Sequence, residues 1–325
     1  MLRLRQFWAI TRLTTLDLIR QPICLLLAVV SVVLMALASM QAYQFGEDGK
    51  LVRDSSLAVY FLFGLITGGY AACTVLAREI QSGTALATLS KPVGMDLFFL
   101  AKFAGISTLI LLYSACAIPA CLLSEQAAPK LFRTDSIALG MLLAAPVAAL
   151  ALAGIANLTA RRPFTSTAFF LLAAILLASL ALSAALHDPA SEYRDVRGHT
   201  IHVATALQWR LVPVALLITL SLFVLSALSL SMATSLNSPA VMILLGVVLA
   251  LGMLSDFYFG AEATPAATIA HRILPDWQRF LMADALTGGG RVGWRYVGTA
   301  ALYAVFYLAA AMAAGIVLFR RREIR

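Results

Sequence analysis

Leu57–Leu76, LAVYFLFGLITGGYAACTVL, and Leu97–Leu123, LFFLAKFAGISTLILLYSACAIPACLL, enclose a polar island, Ala77–Asp96, AREIQSGTALATLSKPVGMD. Each outer run is long enough to cross the ~30 Å hydrocarbon core as a helix. The island is too short for a domain, yet its chemistry is ordered. Arg78 and Glu79 leave the first run at the membrane surface. Ser82-Gly83-Thr84 breaks the helix and offers Thr84 as a cap for a new one. Ala85 to Leu89 supplies about one and a half helical turns with a small apolar face. Lys91-Pro92 stops it, because the residue before a proline is steered out of the helical region. The pattern predicts two spans joined by a short, stiff helix on one face of the membrane; the plainer reading of the same residues is a surface turn.

The rest of the chain repeats the apolar theme. Of 325 residues, 61% are hydrophobic and 12% charged, and the mean hydropathy is +0.90. Soluble domains are about 45–50% apolar and about 25% charged. Eight apolar runs are counted: Pro22–Tyr43, Leu57–Leu76, Leu97–Leu123, Ser136–Thr159, Phe164–Leu186, Leu211–Leu236, Pro239–Phe259 and Trp294–Phe319. The fold class is therefore an all-α polytopic membrane protein with six to eight transmembrane helices, eight by this count, in one domain over 1–325. Prolines stand near the helix starts in two hairpin turns, Ala-Arg-Arg-Pro and Asn-Ser-Pro. Pro119, Pro146 and Pro213 inside runs mark candidate kinks. The first run, preceded by Arg3, Arg5, Arg12 and Arg20, is too long for a signal-peptide core and is expected to stay as a span.

An even number of spans puts both termini on one side. The basic ends RLR and FRRREIR make that side cytoplasmic; it holds 13 of the 24 basic residues and 4 of the 16 acids. The net charge of +8 is thus a topology signal. Nucleic acid is excluded as a partner, because no soluble domain carries a basic face.

No ionisable residue falls in the middle of a predicted span; Lys102, Asp256 and Arg295 lie near ends, where snorkelling makes them cheap. Ion-driven transport and intramembrane acid–base catalysis both need such groups. There is no phosphate-binding loop, G-x-S-x-G or H-E-x-x-H. The chain is not expected to be an enzyme or to hold a cofactor, so energy for work across the membrane must enter from a partner on the cytoplasmic face. Cys24, Cys73, Cys116 and Cys121 all lie in apolar runs and read as buried thiols. His199 and His202 are three apart, near His187, Asp188, Glu192 and Asp195. Solvated loop residues outweigh a metal site there, and no metal ligand is assigned. A membrane-embedded enzyme would have to draw on that same cluster.

Gly64 and Gly68 form G-x-x-x-G, followed by Gly69, a face on which helices approach closely. Two extracytoplasmic segments stand out, 187–210 and 260–293. In the second, Ile273, Leu274, Trp277, Phe280 and Leu281 recur at helical spacing, interrupted at Pro275. Two short helices at or dipping into the interface are expected, an outer re-entrant segment carried by Pro275, Trp277 and Phe280, with Trp277 at headgroup level.

The island Arg78-Glu79-x-x-x-Gly83-Thr84, then Leu89-Ser-Lys-Pro92-Val93 with Lys102 beyond, resembles the cytoplasmic loop of type 2 ABC exporter permeases. The tail Leu318-Phe-Arg-Arg-Arg-Glu-Ile and the stretch Pro275-Asp-Trp-Gln-Arg-Phe are similar to that family as well. Residues 1–21 resemble its interfacial elbow helix, although their periodicity shows no clean polar face. The resemblance implies a half-transporter in the bacterial inner membrane, paired with a second permease copy or a homologous one. Each coupling helix, within 77–96, would fit a groove on a cytoplasmic ATP-binding cassette subunit, itself a dimer holding ATP and Mg. Glu79 would stand at the helix entry, Gly83 and Thr84 at its start, Leu86 and Leu89 on its docking face, and Pro92 at its exit. The family has six spans, so eight would make one hairpin an insertion, most simply Ser136–Leu186. A force-transmitting or anchoring subunit that acts on a periplasmic partner through 187–210 is the alternative. Membrane lipid is a partner in either case.

Overall fold

The computed structural model describes residues 2–40, 48–77, 94–129, 135–186, 191–194, 200–203, 207–254 and 275–323. Nine α-helices follow one another there: α1 Leu2–Ile19, α2 Pro22–Met40, α3 Asp48–Ala72, α4 Met95–Ala127, α5 Ser136–Ala160, α6 Phe164–Leu186, α7 Leu211–Ala233, α8 Ser238–Met253 and α9 Trp294–Glu323. A π-helical turn, Cys73–Ala77, ends α3, and two 3-10 turns, Trp277–Arg279 and Ala283–Gly289, precede α9. Between α6 and α7, β1 Ser191–Arg194 and β2 Thr200–Val203 pair as an antiparallel hairpin with Glu192 opposite His202.

The chain is an all-α polytopic membrane protein. Among the described residues, seven helices are long and apolar enough to cross a membrane: α2, α3 with its π turn, α4, α5, α6, α7 and α9. The expected span Pro239–Phe259 is represented by α8, which has 16 residues. At 1.5 Å per residue this is about 24 Å, short of the hydrocarbon core; residues 255–259 lie outside the described set. Pro213 stands in the first turn of α7, where its missing N–H costs nothing, so of the three candidate kinks only Pro119 and Pro146 lie in helix interiors.

Helix ends follow local chemistry. Asp135 caps α5, its Oδ1 accepting from Ile137 N at 3.0 Å and Ala138 N at 3.2 Å, and Asn237 caps α8 through Ala240 N. The α5–α6 turn closes with Arg161 in the left-handed region, φ 50 and ψ 30, and Asn157 Nδ2 donating to the Arg162 carbonyl at 2.6 Å. Most buried hydroxyls are satisfied inside their own helix. Ser31, Ser39, Thr219, Ser221 and Ser229 each donate to a carbonyl three or four residues back.

The residues group into two compact units. The first is Met1–Leu18, Gly64–Leu111 and Pro213–Arg325; the second is Ile19–Phe63 and Leu112–Val212. α3 and α4 each contribute one part to either unit.

The second unit contains a polar seam between α3 and α4. Tyr60 donates through its hydroxyl to Ser114 Oγ at 2.8 Å, and Tyr113 to the Tyr60 carbonyl at 3.1 Å. Ser124 donates to the Met35 carbonyl of α2 at 2.8 Å, and Ser183 of α6 to Gln126 Oε1 at 2.6 Å. Arg53 lies 4.0 Å from Glu125 and 3.2 Å from Asp54, with only 5% of the Arg53 side chain and 6% of the Glu125 side chain exposed. The sequence expectation that started this span at Leu57 left Arg53 and Asp54 in a loop. In the structure α3 begins nine residues earlier, because the charge is matched across to α4. Removing one partner of a buried pair costs about 3–5 kcal/mol, while replacing both with apolar groups is near neutral. Arg53→Met is expected to lower stability by about 3 kcal/mol, more than Glu125→Leu, which leaves Arg53 facing Asp54. The double variant should recover most of the loss, as read by thermal unfolding in detergent.

Candidate coupling site

The expected coupling residues Glu79, Gly83, Thr84, Leu86, Leu89 and Pro92 lie outside the described residues. The helix ends that flank residues 78–93 are described, and both belong to the first unit.

On the α3 side, small residues let neighbours close in. Gly64 is buried. A Cβ on Gly68 would stand 3.3 Å from Ser226 Cβ of α7 and 3.4 Å from Ile110 of α4. On Gly69 it would stand 2.7 Å from Met242 Sδ of α8, inside any real contact. The G-x-x-x-G face therefore packs within the chain at Gly68, and its neighbour Gly69 seats α8. One turn later the helix widens to the π turn. Thr74 Oγ1 lies 3.0 Å from the carbonyls of both Tyr70 and Ala71, and Cys73 Sγ lies 3.8 Å from the Ser238 carbonyl at the start of α8. Turns of this type concentrate at functional sites.

On the α4 side, contacts from α9 and α1 hold the first turns. Arg320 of α9 reaches Asp96 with two nitrogens, Nε at 3.1 Å to Oδ1 and NH2 at 2.5 Å to Oδ2. Phe319 stacks on Phe98 with ring centroids 6.3 Å apart and lies tilted against Phe99 at 6.1 Å; all three rings are buried. Gly315 leaves room for Phe99, whose ring would collide with any Cβ there. Lys102, buried, holds its Nζ 5.2 Å from the Phe98 ring centre. Helix α1 completes the set. Thr11 donates to the Ala101 carbonyl at 3.3 Å, and Gly105 lets Thr14 approach to a distance at which a Cβ would stand 2.7 Å from it. Whatever occupies 78–93 is thus carried by two helix ends, one seated on α8 and the other bound to α1 and α9. The tail and the N-terminal helix earn their place through these contacts, which no local pattern reports.

The re-entrant residues form a second cluster in the same unit. Trp277 and Phe280 are fully buried. Trp277 Nε1 donates to the Val248 carbonyl at 3.3 Å, and its indole fills the space that a side chain on Gly252 would occupy. The indole is covered by protein, because Gly252 opens a socket for it on α8. The described part of this segment forms 3-10 turns; Ile273 and Leu274 lie outside the described residues. Asp276 caps the first turn through Gln278 N, and its own N–H donates to the Tyr303 hydroxyl at 3.0 Å. Pro275 precedes it, and its carbonyl lies at the mouth of the Gly252 socket. Arg279 bonds Asp276 at 2.9 Å and lies 4.9 Å over the Tyr303 ring. The Asp276 carboxylate pushes the Arg279 guanidinium further above its ordinary value, so the guanidinium stays charged across the physiological range.

Of the suggested outer metal residues, His187, Asp188, Asp195 and His199 lie outside the described residues. Among the described residues no three His, Cys, Asp or Glu side chains gather as a metal site. All four cysteines are buried and free.

Trp277→Ala should lower stability by about 3 kcal/mol, the usual cost of emptying a large buried aromatic site. Arg279→Ala, whose side chain is 56% exposed, should cost under ~1 kcal/mol. Thermal unfolding of the two variants in detergent checks the contrast. No protein-family model matches the chain, and no curated protein matches it.

Proposed function

We propose that this chain is the membrane-spanning permease subunit of an ATP-binding cassette exporter of the type 2 kind, set in a bacterial inner membrane with both termini cytoplasmic. The observation that carries the reading is the island Arg78-Glu79-x-x-x-Gly83-Thr84 to Pro92 between two spans. A separate ATP-binding subunit, holding ATP and Mg, takes the helix of that island into a surface groove, and a second permease subunit completes the pair. Glu79 and Gly83-Thr84 set the entry and start of the helix, Leu86 and Leu89 face the groove, and Pro92 ends it. The flanking contacts support this reading. A push delivered at 78–93 enters α4 where Asp96, Phe98 and Phe99 are tied to α9, and enters α3 where Gly69 and Cys73 meet α8. Force reaches the spans without passing through a loose linker.

A second reading rests on the β1–β2 hairpin between α6 and α7, an ordered element suited to contact a periplasmic protein. There the subunit transmits conformational change and moves no solute. Deleting 187–210 separates the two: loss of an outer partner with normal efflux favours transmission.

The test is co-purification. The full chain should carry an ATP-binding subunit through purification in detergent. The Glu79→Ala plus Gly83→Pro variant should insert normally, yet lose the stimulation of ATP hydrolysis that the wild-type permease confers. Retained stimulation and transport in that variant would sink the reading.

A further inference from the structure

We propose that Arg20, Arg161 and Arg162 form a binding site for the phosphate of an anionic glycerophospholipid at the α1–α2 corner. The three belong to the second unit, and one contact brings them together: Thr165, in the first turn of α6, donates its hydroxyl to the Arg20 carbonyl at 3.0 Å. The Arg161–Arg162 turn therefore lies beside Arg20, although about 140 residues of chain separate them. All three side chains are exposed. Among the described residues none of them pairs with a carboxylate; the only acid in 2–40 is Asp17. Three like charges carried on neighbouring stretches of backbone, with no carboxylate partner among the described residues, repel one another, and an oxyanion relieves that repulsion. Guanidinium groups suit it, because their planar N–H forks match phosphate oxygens two at a time.

The backbone adds an independent observation. Arg161 is the only non-glycine residue with positive φ among those described. Glycine or asparagine is the ordinary occupant of a helix end in that conformation, so an arginine there is held at a cost. The strain places its side chain on the turn next to Arg162, and the Asn157 bond to the Arg162 carbonyl fixes the turn. The surroundings select lipid over a soluble anion. Leu158 is 84% exposed, and Ile155 and Phe164 are exposed beside it, so apolar surface runs up to the arginines from the ends of two membrane-spanning helices. A headgroup phosphate with its acyl chains along α5 and α6 satisfies both the charge and the apolar flank.

The permease alone suffices for the test, so its result stands apart from any ATP-binding partner. The full-length protein is placed in nanodiscs of phosphatidylcholine mixed with phosphatidylglycerol, and the lipid retained after mild delipidation is quantified by mass spectrometry. Wild type should keep phosphatidylglycerol in preference to phosphatidylcholine. The Arg20→Gln/Arg161→Gln/Arg162→Gln variant should lose about tenfold of that preference. Arg161→Gly, which eases the backbone and so folds at least as well, should show a smaller fall in the same direction. Excess inorganic phosphate should leave the wild-type preference intact. Equal preference in wild type and both variants overturns the proposal. So does displacement by inorganic phosphate, which would make the site one for a soluble anion. Loss of a co-purifying protein from the triple variant with lipid preference unchanged also overturns it, and assigns the patch to protein docking.

Discussion

Apolar helices in lipid gain nothing from the hydrophobic effect by touching one another, so close packing and polar contacts must hold them. In this chain both depend on small residues set opposite large or polar ones. Gly69 admits Met242, Gly105 admits Thr14, Gly252 admits Trp277 and Gly315 admits Phe99. Each pairing joins different segments of the chain, and in each a Cβ on the glycine would stand under 3.0 Å from the partner side chain. The second unit uses the other device, interhelical hydrogen bonds, at Tyr60–Ser114, Ser124–Met35 and Ser183–Gln126. Hydroxyls that bond back to their own helix serve neither purpose; they let serine and threonine lie in apolar helices without a partner helix.

The positions of the spans were legible because a run of about twenty apolar residues has few other fates. Their ends were not. Asp48 to Ser56 reads as a polar loop, and it is helical because Arg53 meets Glu125, a partner supplied by the other end of a different span. The segment that carries Trp277 was legible as an apolar, interrupted stretch, but not as a buried one, since the socket for Trp277 is a glycine on α8. The Ala-Arg-Arg-Pro turn was visible through its proline. Nothing in the letters marks Arg161 as left-handed, because asparagine or glycine would be the expected sign. The island 77–96 was legible as a motif alone, and the ties that Arg320, Phe319 and Thr14 make around its flanks arise only on folding.

Those ties give the two ends of the chain a shared task. The N-terminal helix and the last turns of α9 converge on the first turns of α4, so residues from both ends of the chain hold the start of one span. Arg320 pairs with Asp96, and the rings of Phe98, Phe99 and Phe319 exclude water beneath that pair. An exposed ion pair alone contributes little; its value here is orientation, with the buried rings supplying the adhesion.

The π turn at Cys73–Ala77 has a geometric consequence for the segment after it. A wider turn accommodates one more residue than the α-helix would over the same rise. Each residue of an α-helix advances the azimuth by about 100°. Winding the same residues 73–77 as regular α-helix, with none removed, would leave α3 above them unchanged, yet rotate everything downstream by roughly that angle. The direction in which the chain leaves α3 is therefore a single-residue property, a phase setting written into five positions and independent of the identity of the residues it aims.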